Sequence, residues 1–342
     1  MAYQNVGTPR FYVSHPLWAL ASGSDEFVSG GNWSITNQKQ YININPTKFK
    51  TTSGDYYHSF DYPDNGFGFN FFMFLGHKFS SDYDNNIIHI LEYGTQTNLG
   101  DYDFFVNSQI SGGQQAPPPY NGWSLMGYDT SPTLDGFRIK FTQPISCGSI
   151  LWGKYYDMPH SPDLNLALTR EYGGTKTIET KGGSSLSNTF YTKPAKWGNA
   201  SAWELWNNQG HITEMAYSRN GRRVWDLSFS YLQDSDVFPV LSTNTPYESI
   251  SPDKVSYSTA YETEDDISDD WWIDNSVYQA NTFYSQVIHK TNGGQLPFVF
   301  QPDNSNRNPD QFAICKFDMD SFKFEQVANG VYNMQLKIRE VW

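Results

Sequence analysis

The chain has 342 residues, 17% of them charged and 17% aromatic, with 27 Gly, 18 Pro and a formal net charge of −13. That length makes room for two domains or one large sandwich with insertions. The aromatic content argues against a disordered chain, and the acidic balance argues against binding a phosphate backbone, which needs clustered Lys and Arg.

Residues 1–5 have neither a basic n-region nor an apolar h-region, so no secretory signal is expected. The longest apolar run, 67–75, is broken by Gly68 and Asn70 and falls short of the ~20 residues that span a bilayer. The expectation is a soluble protein with no membrane span, made in the cytoplasm. Cys147 and Cys315 stand far apart in apolar stretches. They predict buried free thiols in a reducing compartment, not a disulfide scaffold.

In chain order, residues 16–22 read as a short helix ending at Gly23, and strands follow from about Trp33. Residues 70–75 are apolar on both faces and predict a central, fully buried strand, and 87–92 another strand. The glycines and prolines of 112–119 predict a surface loop. Phe137, Ile139 and Phe141 alternate with Arg138 and Lys140, so a strand resumes there; 149–156 is the next, closed by a stiff turn through Pro159 and Pro162. Leu164, Leu166 and Leu168 alternate with polar or small residues. Gly173-Gly174 and Gly182-Gly183 then bracket a strand around Ile178.

Residues 200–207 predict a short helix carrying Trp203 and Trp206. Residues 219–223, the only basic cluster, read as a hairpin tip. Trp225, Leu227, Phe229 and Tyr231 alternate with Asp226, Ser228 and Ser230, which predicts a strand with one buried face. Between 242 and 274 the apolar period collapses and acids concentrate, so this reads as an acidic loop. At the end, Phe322 and Phe324, the Asn329-Gly330 turn, and Tyr332, Met334, Leu336 and Ile338 predict a half-buried hairpin with Lys337 and Arg339 on its outer face. About fifteen strands and one or two short helices predict an all-β protein with long loops and no fixed-period repeat. Two β-sandwich domains, 1–160 and 161–342, are the economical arrangement, with the acidic loop 242–274 in the second.

The seven histidines include no His-x-x-x-His pair, and HExxH, Cys-x-x-Cys, Gly-x-Ser-x-Gly and phosphate-loop patterns are absent. The runs 82–86 and 303–306 carry calcium-like letters but lack the sixth-position Gly and closing Glu of an EF-hand, and Asx-rich turns give the same letters. No metal, cofactor or catalytic residue is therefore expected. Trp271 and Trp272, beside Asp269 and Asp270, form the most suggestive patch. Trp is enriched at interface hot spots, so these four residues, with Lys337 and Arg339, are the interface candidates. The pair also suits a sugar platform, and a two-carboxylate glycosidase is the remote alternative.

Four segments, 5–13, 148–164, 223–229 and 296–317 with the terminal hairpin, resemble virion proteins of tailed bacteriophages, notably tail and baseplate components of marine phages. The resemblance implies jelly-roll or galectin-like sandwiches that form rings with themselves and with neighbouring tail proteins. It implies a non-enzymatic virion protein made in the host bacterial cytoplasm; a host-surface glycan is the further partner that the Trp platforms suit, and the acidic charge speaks against nucleic acid. Coiled-coil heptads and Gly-x-y repeats are absent, which speaks against a fibre shaft. A carbohydrate-binding adhesin using Trp platforms is the alternative function.

Overall fold

The computed structural model describes residues 7–22, 44, 50–59, 67–68, 70–75, 88–92, 103–106, 110–111, 114–115, 123–127, 133–134, 136–164, 166–171, 173–191, 196–197, 200–201, 221–239, 277, 280–306 and 311–341. Within them the protein is mostly antiparallel β-strand with few short helical segments, as the all-β reading expects.

An eight-stranded antiparallel sheet forms the centre. Its path runs Tyr155–Asp157, Arg10–Tyr12, Phe298–Gln301, Ala313–Phe317, Val331–Glu340, Arg222–Gln233, Ala167–Glu171. The eighth strand, Phe324–Ala328, pairs with Val331–Glu340 along the edge that Ala313–Phe317 also uses. Strands 10–12 and 155–157 are thus hydrogen-bonded into a sheet whose other members all follow residue 160. The expected domain boundary at 160/161 lies between strands of this one sheet.

Strict alternation sorts the side chains into two cores. Phe11, Phe298, Phe300, Ala313, Cys315 and Phe317 share one core with Trp225, Leu227, Phe229, Met334, Leu336 and Ile338. The intervening Tyr12, Val299 and Ile314 enter the other core, with Phe71, Met73, Leu75, Leu125 and Leu151. A strand covered on both faces must be apolar at every position. That explains the unbroken runs at 298–300 and 312–315. Val331–Glu340 is buried on one face over most of its length, so it alternates, with Tyr332, Met334, Leu336 and Ile338 all buried.

The second core is closed by a four-stranded sheet in the order Ser149–Gly153, Phe71–Leu75, Trp123–Gly127, Asp103–Val106. The first is closed by Phe283, Val287 and Ile288, on or just before a π-helical turn, Tyr284–Ile288, that runs into a 3₁₀ turn, His289–Thr291. No element was expected there. A separate three-stranded sheet pairs Lys50–Ser59, Gly136–Cys147 and Ile88–Glu92.

Several expectations need correction. The strand read over 149–156 is two strands in two sheets. The chain turns between them at Gly153, where an added Cβ would stand 2.7 Å from the Val13 carbonyl oxygen. Asn70 pins this corner: its N–H donates to the Gly153 carbonyl at 2.9 Å, and its Oδ1 accepts from the Tyr155 N–H at 2.8 Å. Tyr231 does not continue the inward row. It takes φ 62° and is 75% exposed, and the register shift between Phe229 and Leu232 brings Leu232 inward instead. Leu164 is fully exposed, and the strand begins only at Ala167. Where a helix was read over 200–207, Ala200–Ser201 is a short strand paired with Lys196–Trp197; the rest of that segment lies outside the described residues.

Candidate functional site

Of the expected interface residues, Asp269, Asp270, Trp271 and Trp272 lie outside the described residues, as does most of the acidic segment. Lys337 and Arg339 are described. Both sit on the outward row of the last strand, and both meet acids of the same chain. Lys337 pairs with Asp318 at 3.3 Å, and Arg339 donates to Glu171 at 2.7 Å. These contacts tie the last strand to its flanks, and partly exposed pairs of this kind contribute little stability.

The feature that stands out from the body is a hairpin of Gly173–Glu179 and Ser185–Tyr191. The sequence marks it by the glycine pairs on either side of Ile178. Seven residue pairs zip it together, from Gly173↔Tyr191 to Glu179↔Ser185. The tip is closely bonded: the Thr180 N–H donates to the Ser184 carbonyl at 2.9 Å, and the Ser184 N–H to Thr180 Oγ1 at 3.1 Å. Gly183 takes φ 79°, the left-handed position that such a three-residue loop requires.

Parity divides the hairpin into two faces. Thr175, Thr177, Glu179, Ser185 and Ser187 fall on one; Lys176, Ile178, Leu186 and Asn188 fall on the other. Ile178 and Leu186 are direct cross-strand partners, yet they are 56% and 61% exposed. Sequence reading placed a strand here but missed that its apolar residues are exposed, with no further strand paired to the hairpin among the described residues. The available signal was the scarcity of apolar residues between 173 and 189, where only Ile178 and Leu186 break a run of hydroxyl, amide, glycine and charged residues.

The polar chemistry inside the body is bound up in packing. Arg223, expected at a hairpin tip, is instead buried in a strand and paired with Glu340. Arg10 makes a bidentate pair with Asp157, at 2.6 and 2.7 Å, and its guanidinium lies 3.8 Å from the centre of the Tyr155 ring. Burial opposes the Arg10 charge, but the hydrogen bonds to Asp157, the charge of Asp157 and the neighbouring Tyr12 together outweigh it and hold its pKa above the ordinary value. Next to it, burial pushes the Tyr12 phenol up, and its hydroxyl donates to Gln301 at 2.9 Å.

A third group surrounds the helix His15–Ser22. The His15 ring lies 4.8 Å from Trp152 and 5.6 Å from Trp18, and Trp18 lies 5.5 Å from His289. Nearby, Lys290 is 2% exposed and donates to Gln286 Oε1 at 2.8 Å. Burial, with the charge of Lys154 adding to it, lowers its pKa to about 7. This is where the basic and aromatic groups of three elements meet. It packs the helix against the 3₁₀ turn.

The calcium-like run at 303–306 is an Asx turn: the Ser305 N–H and hydroxyl both donate to Asp303 Oδ1, at 2.9 and 2.6 Å. The other run, 82–86, lies outside the described residues. Among the described residues no group of three or more His, Cys, Asp or Glu is placed to hold a metal ion, and no helix is long and apolar enough to cross a membrane. No family model, curated protein or solved structure matches this chain.

Proposed function

We propose that this chain is a non-enzymatic structural component of a tailed-bacteriophage virion, in the tail or baseplate, that assembles with itself and with neighbouring tail proteins. The observation that carries the reading is the 173–191 hairpin, which holds two exposed apolar side chains, Ile178 and Leu186, on a hydrogen-bonded strand pair. Displayed apolar surface on a hydrogen-bonded strand pair suits a protein whose task is to be held by others. The other support is the resemblance of 5–13, 148–164, 223–229 and 296–317 with the terminal hairpin to phage tail proteins. In this reading the virion is the site of function and the host cytoplasm the site of synthesis.

The two-sandwich organisation is part of the same proposal, with the division following sheets and not residue 160. The three-stranded sheet built on Lys50–Ser59 and Gly136–Cys147 would belong to the second unit. Gold-labelled antibody against this chain tests the functional reading on purified particles. Label along or at the end of the tail is the expected result; unlabelled particles would contradict it.

A further inference from the structure

In the described structure each strand of the 173–191 hairpin pairs only with the other. A two-stranded ribbon is marginal in water unless something packs on it. Here one face is lined with hydroxyls and suits solvent, while the other presents Ile178 and Leu186 side by side. The two faces are chemically distinct, and only one of them calls for a cover.

Charge indicates what that cover is. Lys176 and Lys181 against Glu179 leave residues 173–191 at +1, so the remainder of the chain carries −14 of the total of −13. A basic arm on an acidic body is drawn toward the body of another copy, and this attraction offsets the mutual repulsion of two such bodies. We propose that the hairpin is an assembly arm that docks, through Ile178 and Leu186, on a second copy of this chain. The inference rests on the structural role proposed above and names its first partner. Lys176 lies on the docking face and Lys181 at the tip, so both steer the encounter and the association weakens with salt.

Sedimentation velocity on the full chain tests it, comparing the parent with the Ile178→Thr/Leu186→Thr double variant at low and high salt. Threonine keeps the strand preference and removes the apolar contact. The expected result is a self-associating parent, a double variant weakened about tenfold or more with unchanged circular dichroism, and weaker parent association at high salt. The two single variants repeat the reading, so that a folding failure in the double variant leaves the answer intact. A parent that stays monomeric at all concentrations would overturn the arm's assignment to a second copy, even if it binds another tail protein. Unchanged association in all three variants would overturn it as well. An arm-dependent oligomer absent from labelled virions would keep this inference and remove the virion role.

Discussion

Arg223 and Glu340 lie side by side in neighbouring strands, with side chains 6% and 5% exposed. The guanidinium donates through Nε to Oε2 at 3.1 Å and through Nη2 to Oε1 at 3.0 Å. Nη2 also donates to the Phe312 carbonyl at 2.7 Å, and the Arg223 N–H to Glu340 Oε2 at 3.0 Å. Glu340 closes the final strand, so the pair fastens the end of that strand into the sheet.

Removing one member leaves a buried charge with its partner gone. Glu340→Ala should cost about 3–5 kcal/mol in urea unfolding, and Arg223→Met combined with Glu340→Leu should recover much of that loss. Equal stability of Glu340→Ala and the parent would show that the pair is solvated.

On the same strand the two faces should separate cleanly. Leu336 is 2% exposed, and Leu336→Ala should cost about 2–5 kcal/mol. Lys337→Ser breaks only a surface pair with Asp318 and should stay within about 1 kcal/mol. Thermal melts of both variants check the contrast, and similar losses would mean that the faces are wrongly assigned.

At the sheet crossover, Gly153→Ala drives a methyl group against the Val13 carbonyl oxygen, 2.7 Å away, which is backbone and cannot swing aside. A loss of about 1–3 kcal/mol by chemical denaturation is expected. A neutral result would show that this corner relaxes freely.

Lys290 makes stability depend on pH. Its folded pKa is lowered to about 7 from 10.5, chiefly by burial. Between those values the unfolded chain binds more protons than the folded one, so this residue's contribution rises with pH from about 7 to 10.5 and is smallest below 7. The stability difference between parent and Lys290→Met should therefore move in the parent's favour from pH 7 to pH 10, when urea unfolding is repeated across that range. A difference that stays constant would mean that the ammonium keeps its charge in the fold.

Cys315 is a free thiol at 0% exposure, and burial raises its pKa well above the usual range. It should resist a thiol reagent in the native protein and react on unfolding. Fast native labelling at Cys315, located by peptide mapping, would contradict the packing of this core.

The fold was legible where one rule governed a strand. Phe71–Leu75 read as a strand buried on both faces, and all five residues are at 0% exposure; Met334, Leu336 and Ile338 read as one buried row, and they are. It was illegible where the rule changes within a strand. The bulge at Tyr231 and the sheet switch at Gly153 are backbone events that leave side-chain periodicity intact up to the break. Pairing of Arg10–Tyr12 with Phe298–Gln301 joins residues almost a whole chain apart, and alternation carries no information about such partners. At the candidate site, the glycine pairs pointed to a strand around Ile178 but not to its partner Ser185–Tyr191, and Gly173 and Gly174 lie in the strand itself; exposure of Ile178 depends on what lies beside it in space, which a lone alternating residue does not encode.

We propose that this chain is a building block of a phage tail. Electron cryomicroscopy of the intact particle tests it most directly. The expected map has density for the eight-stranded and four-stranded sheets at symmetry-repeated positions in the tail or baseplate, with the 173–191 hairpin of each copy against the next. A complete tail map in which every density is assigned to other chains would contradict it.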